Sequence, residues 1–218
     1  PQLTQRELII TQGTIDCRLY ARQYGVALNV AGGTHHAYAD HGEGFCLLND
    51  FAVAANWLLK KEFARNILII DLDVHQGNGT ASILQHDPSI FTLSIHGENN
   101  FPFQKEVSDL DCGLDDGCDD QTYLRALHEC LDQLDSRFRP DFIIYLAGAD
   151  PHEDDRLGRL NITKVGMQLR DESIFQYSLD RNTPIAFSMA GGYGKEIEST
   201  VAIHLQTIQT ALQFQLRY

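Results

Sequence analysis

Five apolar segments recur along the chain, and polar residues or glycines follow each of them. The segments are rich in β-branched and aliphatic side chains and occupy residues 26–33, 66–73, 89–96, 141–150 and 184–192. A half-exposed strand alternates apolar and polar residues, whereas a strand of a parallel sheet is covered on both faces. These nearly unbroken runs therefore predict parallel strands inside a sheet.

Segments with helical periodicity lie between the apolar runs. They predict helices over residues 3–23, 50–64, 120–138 and 163–180, and a last helix from about residue 195. The capping residues Asp119, Asp120 and Thr163 stand at the starts of two of these helices. One face of the last helix carries Ile197, Val201, Leu205, Ile208 and Leu212.

The alternation of strands and helices predicts a three-layer α/β fold, with a mainly parallel sheet between helices. A length of 218 residues suits one domain over residues 1–218. Residues 97–119 match neither period and are predicted as an irregular acidic loop. A calcium loop over 109–120 is excluded because Leu114 stands where glycine is needed and Asp120 where glutamate is.

The chain is acidic, with 17 Lys and Arg against 30 Asp and Glu and a net charge of -13. Nucleic acids and anionic membranes need a positive surface, so neither is expected as a partner. The five cysteines are odd in number and form no C-x-x-C motif, which predicts reduced thiols in a cytoplasmic protein. We expect neither a membrane span nor a signal peptide, because no apolar stretch reaches the required length.

Polar side chains follow the apolar runs where each strand is expected to end. In an open parallel sheet, ligands bind beyond the carboxyl ends of the strands, so these side chains are expected at one edge. They are Thr34, His35, His36, Asp71, Asp73, His75, His96, Asp150 and Tyr193.

Residues 71–75 predict a metal site. Asp71, Asp73 and His75 alternate along an extended segment and start out on one face, where buried charges without a partner are costly. Two carboxylates and one imidazole suit Zn²⁺ or Fe²⁺, and catalytic zinc sites use three protein ligands. We assign Asp73, His75 and Asp150 as ligands, with Asp71 behind them. The competing interpretation is that the two aspartates cap a helix and His75 is incidental.

The adjacent His35 and His36 are candidates for acid–base catalysis. Gly32 and Gly33 let the backbone bend so that both imidazoles can face one cleft, where one could act as general base and then as general acid. The phenol of Tyr193 could donate to an oxyanion on the far side of the metal. A buried structural tyrosine is the alternative for that residue.

Five motifs in order resemble those of the histone deacetylase superfamily. They are "GGTHHA" (32–37), "GFCLLND" (44–50), "DLDVHQGNG" (71–79), "GADPHEDDRLG" (148–158) and "GGY" (191–193), and their form looks closest to the class IV branch and its bacterial relatives. The resemblance implies an arginase/deacetylase-like fold and zinc-dependent hydrolysis of N-acyl-lysine peptides or acyl-polyamines.

The resemblance also implies residue roles. His35 and His36 would be the catalytic pair, with His36 as the general base, Asp71 holding His35 and Asn78 holding His36. Because a carboxylate favours imidazolium and a neutral amide does not, the two pKa values should separate and leave His36 neutral. Asp73, His75 and Asp150 would hold the metal, and Tyr193 would polarise the acyl carbonyl.

Further residues match the family's substrate channel and its monovalent cation site. Gly44 and Phe45 would line the channel, with Phe101 opposite, Leu157 at its floor and Gly192 beside the tyrosine. A structural K⁺ or Na⁺ would lie at a site formed by Asp71, Asp73, His75, Ser94 and Ile95.

The chain departs from the family pattern in two ways. The "GGTHHA" motif begins at residue 32, earlier than in the family, so we expect a strand and part of the channel rim to be missing at the N-terminus. Ala190 stands where some members continue a glycine run, which could change how Tyr193 enters the site.

Two other functions remain open on the sequence. One is a ureohydrolase-like enzyme with two manganese ions, for which Asp154 and Asp155 offer further carboxylates. The other is an acyl-lysine-binding protein with little turnover.

Overall fold

A computed structural model describes residues 2–218 and contains one six-stranded parallel sheet. The strands are β1 (Val26–Asn29), β2 (Ile67–Asp71), β3 (Ile90–Gly97), β4 (Leu110–Leu114), β5 (Phe142–Leu146) and β6 (Ile185–Ser188). Their order across the sheet is β1-β6-β5-β2-β3-β4, and all neighbours run parallel. The five predicted strands are present; β1, β5 and β6 end before the polar residues of the site, whereas β2 ends at Asp71 and β3 includes His96.

Six helices cover the sheet. They are α1 (Gln2–Tyr24), α2 (Asp50–Lys60), α3 (Asn78–Leu84), α4 (Asp120–Arg137), α5 (Lys164–Asp180) and α6 (Ile197–Gln215). Helices α1 and α2 pack Ala21, Phe51 and Leu58 into one buried cluster with side chains from one face of the sheet. Helices α4, α5 and α6 bury Leu127, Phe175 and their neighbours in a second cluster with the opposite face. The predicted three-layer α/β fold is confirmed.

The interval 97–119 is not irregular throughout, as the sequence pattern had predicted. Strand β4 lies within it and pairs with β3, from Leu93 beside Leu110 to Gly97 beside Leu114. Because β4 is an edge strand, its residues alternate between exposed and covered positions, and it lacks the continuous apolar run of the inner strands. Helix α3 was also missed, because its seven residues give too few turns for a periodic pattern.

The apolar face of α6 lies at the surface. Ile197, Val201, Leu205 and Leu212 are each more than half exposed, while Ile203, His204, Thr207, Thr210, Ala211 and Phe214 are buried. Polar residues can occupy the buried face of α6 because α5 supplies hydrogen-bond partners for them. The Thr207 hydroxyl donates to Asp171 over 2.6 Å, and Asp171 forms a buried ion pair with Arg170.

The cap of α5 gives a stability prediction. The Thr163 hydroxyl accepts from the backbone N–H of Gly166 over 3.2 Å and donates to Asp120 over 2.6 Å. We expect Thr163→Ala to lower the free energy of unfolding by about 1 kcal/mol, because one helix N–H loses its acceptor. Chemical denaturation measures this. The matched control is Ser136→Ala at an exposed site of α4, where a change below about 0.5 kcal/mol is expected; equal effects of the two substitutions would contradict the capping role.

No helix within residues 2–218 combines the length and apolar character that crossing a membrane requires.

Candidate functional site

The candidate site lies at the carboxyl edge of the sheet, where the polar residues following the strands were predicted to meet. Asp71 ends β2, Asp150 follows β5 and Tyr193 follows β6. A cavity of about 670 Å³ opens there, and its walls include His35, His36, Asp73, His75, Asp150 and Tyr193. His96 is buried outside this cavity and hydrogen-bonds Ser94 over 3.0 Å.

Three side chains form a candidate metal centre on the cavity wall. Asp73, His75 and Asp150 each offer a ligand atom, and all three atoms lie within 4.8 Å of one another. Nδ1 of His75 is 3.0 Å from Oδ1 of Asp73 and 3.3 Å from Oδ2 of Asp150. The competing cap interpretation finds no support, because the N-cap of α3 is Gly77 and makes no side-chain cap bond.

The charges and the space at this centre fit a divalent cation. Burial and the neighbouring Asp73 carboxylate raise the pKa of Asp150 to about 7. Burial opposes a charge on His75, but hydrogen bonds to Asp150 and Asp73 raise its pKa to about 10. A cation bound by the three side chains would replace the His75 proton and balance both carboxylates. A Cβ atom at Gly191 would collide with the two carboxylates, so glycine keeps this space open.

The two adjacent histidines have different hydrogen-bond partners. Nδ1 of His35 lies 2.7 Å from Oδ2 of Asp71, and Nδ1 of His36 lies 2.7 Å from Oδ1 of Asn78. The two ring centroids are 4.0 Å apart, and both side chains are buried. In each ring Nδ1 is engaged, which leaves Nε2 for chemistry.

These partners separate the two pKa values as the sequence predicted. Burial lowers the pKa of His35, but the carboxylates of Asp71 and Asp73 outweigh it and raise the pKa to about 9. Burial and the positive charge of His35 together lower the pKa of His36 to about 3. These shifts favour an imidazolium at His35 and a neutral imidazole at His36 near neutral pH.

The predicted channel residues do not all reach the cavity. Gly44, Phe45, Phe101 and Leu157 line it, whereas Gly192 packs behind it against Ala149 and Thr200. Leu157 is 46% exposed and so belongs to the rim and not to the floor. Phe101 meets the His36 ring edge-on at 5.0 Å between centroids, close to the proposed base.

Tyr193 stands on the rim of the cavity. Its side chain is 43% exposed, and its ring centroid is 6.4 Å from that of Phe45. Ala190, three residues earlier, adopts a φ of 53°, a value that favours glycine. Its side chain faces Gly33, where an added Cβ would stand 2.6 Å from the Ala190 Cβ.

The residues predicted for a monovalent cation lie at the ends of two paired strands. Asp71 of β2 is in register with Ser94 of β3, and Ile95 follows it. Asp73 donates its backbone N–H to Oδ1 of Asp71 over 3.1 Å. The sheet thus places Asp71 and Ser94 side by side, and Asp73 is bonded to Asp71.

Two aspartates inside the quoted motifs organise the site in roles that the sequence did not indicate, although Asp155 had been considered as a ligand of a second metal ion. Asp50 accepts from the backbone N–H groups of Gly33 and Thr34, at 3.2 and 2.8 Å, and so fixes the turn before His35. Asp155 accepts from the backbone N–H groups of Leu157 and Tyr193, at 2.8 and 2.5 Å, and so joins two rim loops.

The chain also lines the cavity with residues that no motif indicated. Arg6 and the buried Glu7 come from α1, and their side chains are 2.6 Å apart. Glu43 comes from the loop after the histidine pair. Helix periodicity could have placed Glu7 on an inward face, but only the folded chain brings it to this cavity.

The carboxylates proposed for a second metal are engaged elsewhere. Asp155 is bound to the two rim loops, and Asp154 lies 3.7 Å from the ammonium of Lys195. Within residues 2–218, the group of acidic and imidazole ligands close enough to share an ion is Asp73, His75 and Asp150. This donor set disfavours the binuclear manganese alternative.

The chain matches known proteins over most of its length. The histone deacetylase domain family matches residues 2–208. An uncharacterized protein of Picosynechococcus sp. is 46% identical over 202 residues, which cover 93% of this chain and 67% of the relative. Histone deacetylase 2 of Arabidopsis thaliana is 32% identical over 199 residues, which cover 90% of this chain and 51% of that protein.

A solved structure with the same fold is an HDAC homologue from Aquifex aeolicus. It superimposes with a TM-score of 0.82 at 25% sequence identity and covers 95% of this chain. This chain spans 57% of the Aquifex protein, so the relative is considerably longer.

Proposed function

The chain belongs to the histone deacetylase family, and on that premise we propose that it is a metal-dependent amidohydrolase. Its substrate is an N-acyl-lysine or a related N-acyl amine such as an acyl-polyamine, and the products are a carboxylate and a free amine. One observation carries the proposal: two adjacent histidines, one bonded to the Asp71 carboxylate and the other to the Asn78 amide, line the cavity that contains Asp73, His75 and Asp150.

Asp73, His75 and Asp150 would hold the metal. Two oxygens and one imidazole nitrogen suit Zn²⁺ or Fe²⁺ and leave coordination positions free. A cation bound there supplies Lewis acidity to the acyl carbonyl and lowers the pKa of a bound water. Asp71, Ser94 and Ile95, with Asp73 and His75, would hold the structural K⁺ or Na⁺.

His36 is the proposed general base. Its neutral ring has a free Nε2, and the cavity places that ring next to the metal ligands. A pKa of about 3 makes His36 a weak base in the resting site, because burial and the charge of His35 both oppose its protonation. Negative charge that develops on the acyl oxygen raises the basicity of His36 during the reaction. His36 would take a proton from the water that attacks the acyl carbon, and the C–N bond would break as His35 gives its proton to the leaving amine. The proton held by His36 then returns the pair to its starting charge.

Tyr193 is the proposed donor to the acyl oxygen. Its backbone is anchored by the N–H bond to Asp155, while its side chain is partly exposed on the rim of the cavity. Phe45 and Phe101 provide apolar surfaces for the aliphatic stem of an acylated amine. A net charge of -13 favours substrates with further positive groups.

The test is hydrolysis of acetyl-lysine peptides, longer acyl-lysine peptides and acetylated polyamines by the full-length protein loaded with Zn²⁺ or Fe²⁺. We expect release of carboxylate and amine in equal amounts, detected by mass spectrometry, with one transition metal ion per chain. Two manganese ions per chain would support the ureohydrolase alternative. Tight binding of an acyl peptide without product over hours would support the binding-protein alternative.

A further inference from the structure

The amide of Asn78 lies between the proposed base and two carboxylates. Its Oδ1 is 2.7 Å from Nδ1 of His36, and its Nδ2 donates to Oε1 of Glu43 over 3.2 Å. The same Nδ2 donates to the Tyr38 hydroxyl over 3.1 Å, and that hydroxyl donates to Oε1 of Glu106 over 3.1 Å. Asn78 is only 1% exposed, so solvent does not compete for its hydrogen bonds.

These contacts fix which way the amide points. A carboxylate only accepts hydrogen bonds, so Glu43 requires an N–H of Asn78 on its side. Glu106 takes the hydroxyl proton of Tyr38, so the Tyr38 oxygen presents lone pairs to Asn78. Both hydrogens of the Asn78 amide are thus committed, and its oxygen must face His36.

The orientation of the amide determines the tautomer of His36. An amide oxygen only accepts, so Nδ1 of His36 must carry the hydrogen. A neutral imidazole has one N–H, and the lone pair therefore lies on Nε2. With the amide turned over, Nδ1 would accept from Asn78 and Nε2 would carry the hydrogen. That form has no lone pair on Nε2 with which to take a proton in the cavity.

We propose that Tyr38 and Glu43 are positioning residues that set the His36 tautomer through Asn78. The inference rests on the proposed function insofar as His36 serves as the base. The tautomer itself is a property of the protein that can be measured without substrate.

The loop that carries Glu43 is built to hold it in place. Glu43 and Cys46 exchange two backbone hydrogen bonds of 3.0 and 2.8 Å around a turn in which Gly44 and Phe45 both have positive φ. A Cβ atom at Gly44 would collide with the His36 ring. Tyr38 is held in turn, since its ring stacks on His41 with centroids 4.5 Å apart.

Nuclear magnetic resonance of ¹⁵N-histidine-labelled, metal-loaded protein tests the assignment, with the His36 signals identified by their loss in His36→Ala. We expect a protonated Nδ1 and an unprotonated Nε2 in the unmodified protein. In Tyr38→Phe/Glu43→Leu, both acceptors for the amide are gone, and we expect the Nε2–H form to appear. The kcat should fall about tenfold with KM within about twofold, which corresponds to about 1.4 kcal/mol in the transition state.

Two further variants separate the effect of the Asn78 orientation from the effect of losing the Glu43 charge and from general effects on folding. Tyr38→Phe/Glu43→Gln retains an oxygen that can accept from Asn78, so we expect it to restore the Nδ1–H form and most of the kcat. Tyr20→Phe/Glu129→Leu changes the same residue types at exposed positions of α1 and α4 and should alter neither tautomer nor kcat.

An Nε2–H tautomer in the unmodified protein, or an unchanged tautomer in Tyr38→Phe/Glu43→Leu, overturns the inference. A raised KM with an unchanged tautomer also overturns it and makes Glu43 a substrate contact. If the unmodified protein hydrolyses no acylated amine, the proposed function fails, and the resonance series still decides how His36 is held.

Discussion

Asp150→Asn is expected to empty the metal centre and to reduce kcat/KM on the order of 10³-fold, since a bound metal contributes several kcal/mol and each 1.36 kcal/mol is tenfold in rate. The substitution keeps the shape of the side chain and an oxygen for the backbone N–H of Val74, which now donates to Asp150 over 2.9 Å. It removes one of the two negative charges that would hold the cation.

The effect should be large because the centre has few ligands. Asp73, His75 and Asp150 form the group of ligand atoms that lie within 4.8 Å of one another. Loss of Asp150 leaves one carboxylate and one imidazole, too few for a catalytic site that uses three protein ligands. His75 also loses the contact of 3.3 Å to Asp150, one of two that orient its ring.

Metal content by mass spectrometry after gel filtration measures the first effect, and single-turnover hydrolysis measures the second. The matched control is Asp154→Asn, a nearby carboxylate that pairs with Lys195 outside the centre. We expect one metal ion per chain and unchanged turnover in the control. Full turnover in Asp150→Asn would contradict the assignment of the metal ligands.

The residues of the candidate centre were predictable because the strands of a parallel sheet all end at the same edge. Asp71, Asp73 and Asp150 follow apolar runs, and parallel strands send everything that follows them to the same edge. The pairing of His35 with Asp71 and of His36 with Asn78 was implied by the family resemblance, and the structure contains both hydrogen bonds. Order along the chain and strand polarity were sufficient to locate the centre, and the resemblance supplied the two pairings.

The predictions that were wrong or incomplete concern features that depend on contacts with other parts of the fold. An apolar stripe on α6 does not indicate where the sheet lies, and here Thr207 faces inward because Asp171 accepts its hydroxyl. Strand β4 was missed because an edge strand needs no continuous apolar run. The contact of Glu43 with Asn78 depends on a loop turn with positive φ, which no periodicity encodes.

Removal of the proposed base should give a different result from removal of a metal ligand. We expect His36→Ala to lower kcat by about 10²- to 10⁴-fold, the usual contribution of a general base, while the metal content stays at one ion per chain. The metal should remain because Nδ1 of His36 bonds to Asn78 and the ring is no member of the ligand group.

His128→Ala is the matched control, which shows whether the loss of activity is specific to the histidine in the site. His128 is an exposed histidine of α4, 3.2 Å from Ser173, and its loss should leave kcat unchanged. Single-turnover rates and metal content of both variants are measured side by side. A drop in metal content in His36→Ala would make His36 part of the metal centre. If kcat of His36→Ala stays within about twofold of that of the unmodified protein, His36 is not the base and His35 takes that role. In the present proposal His35 donates a proton instead, because its bond to Asp71 and its raised pKa favour the protonated form.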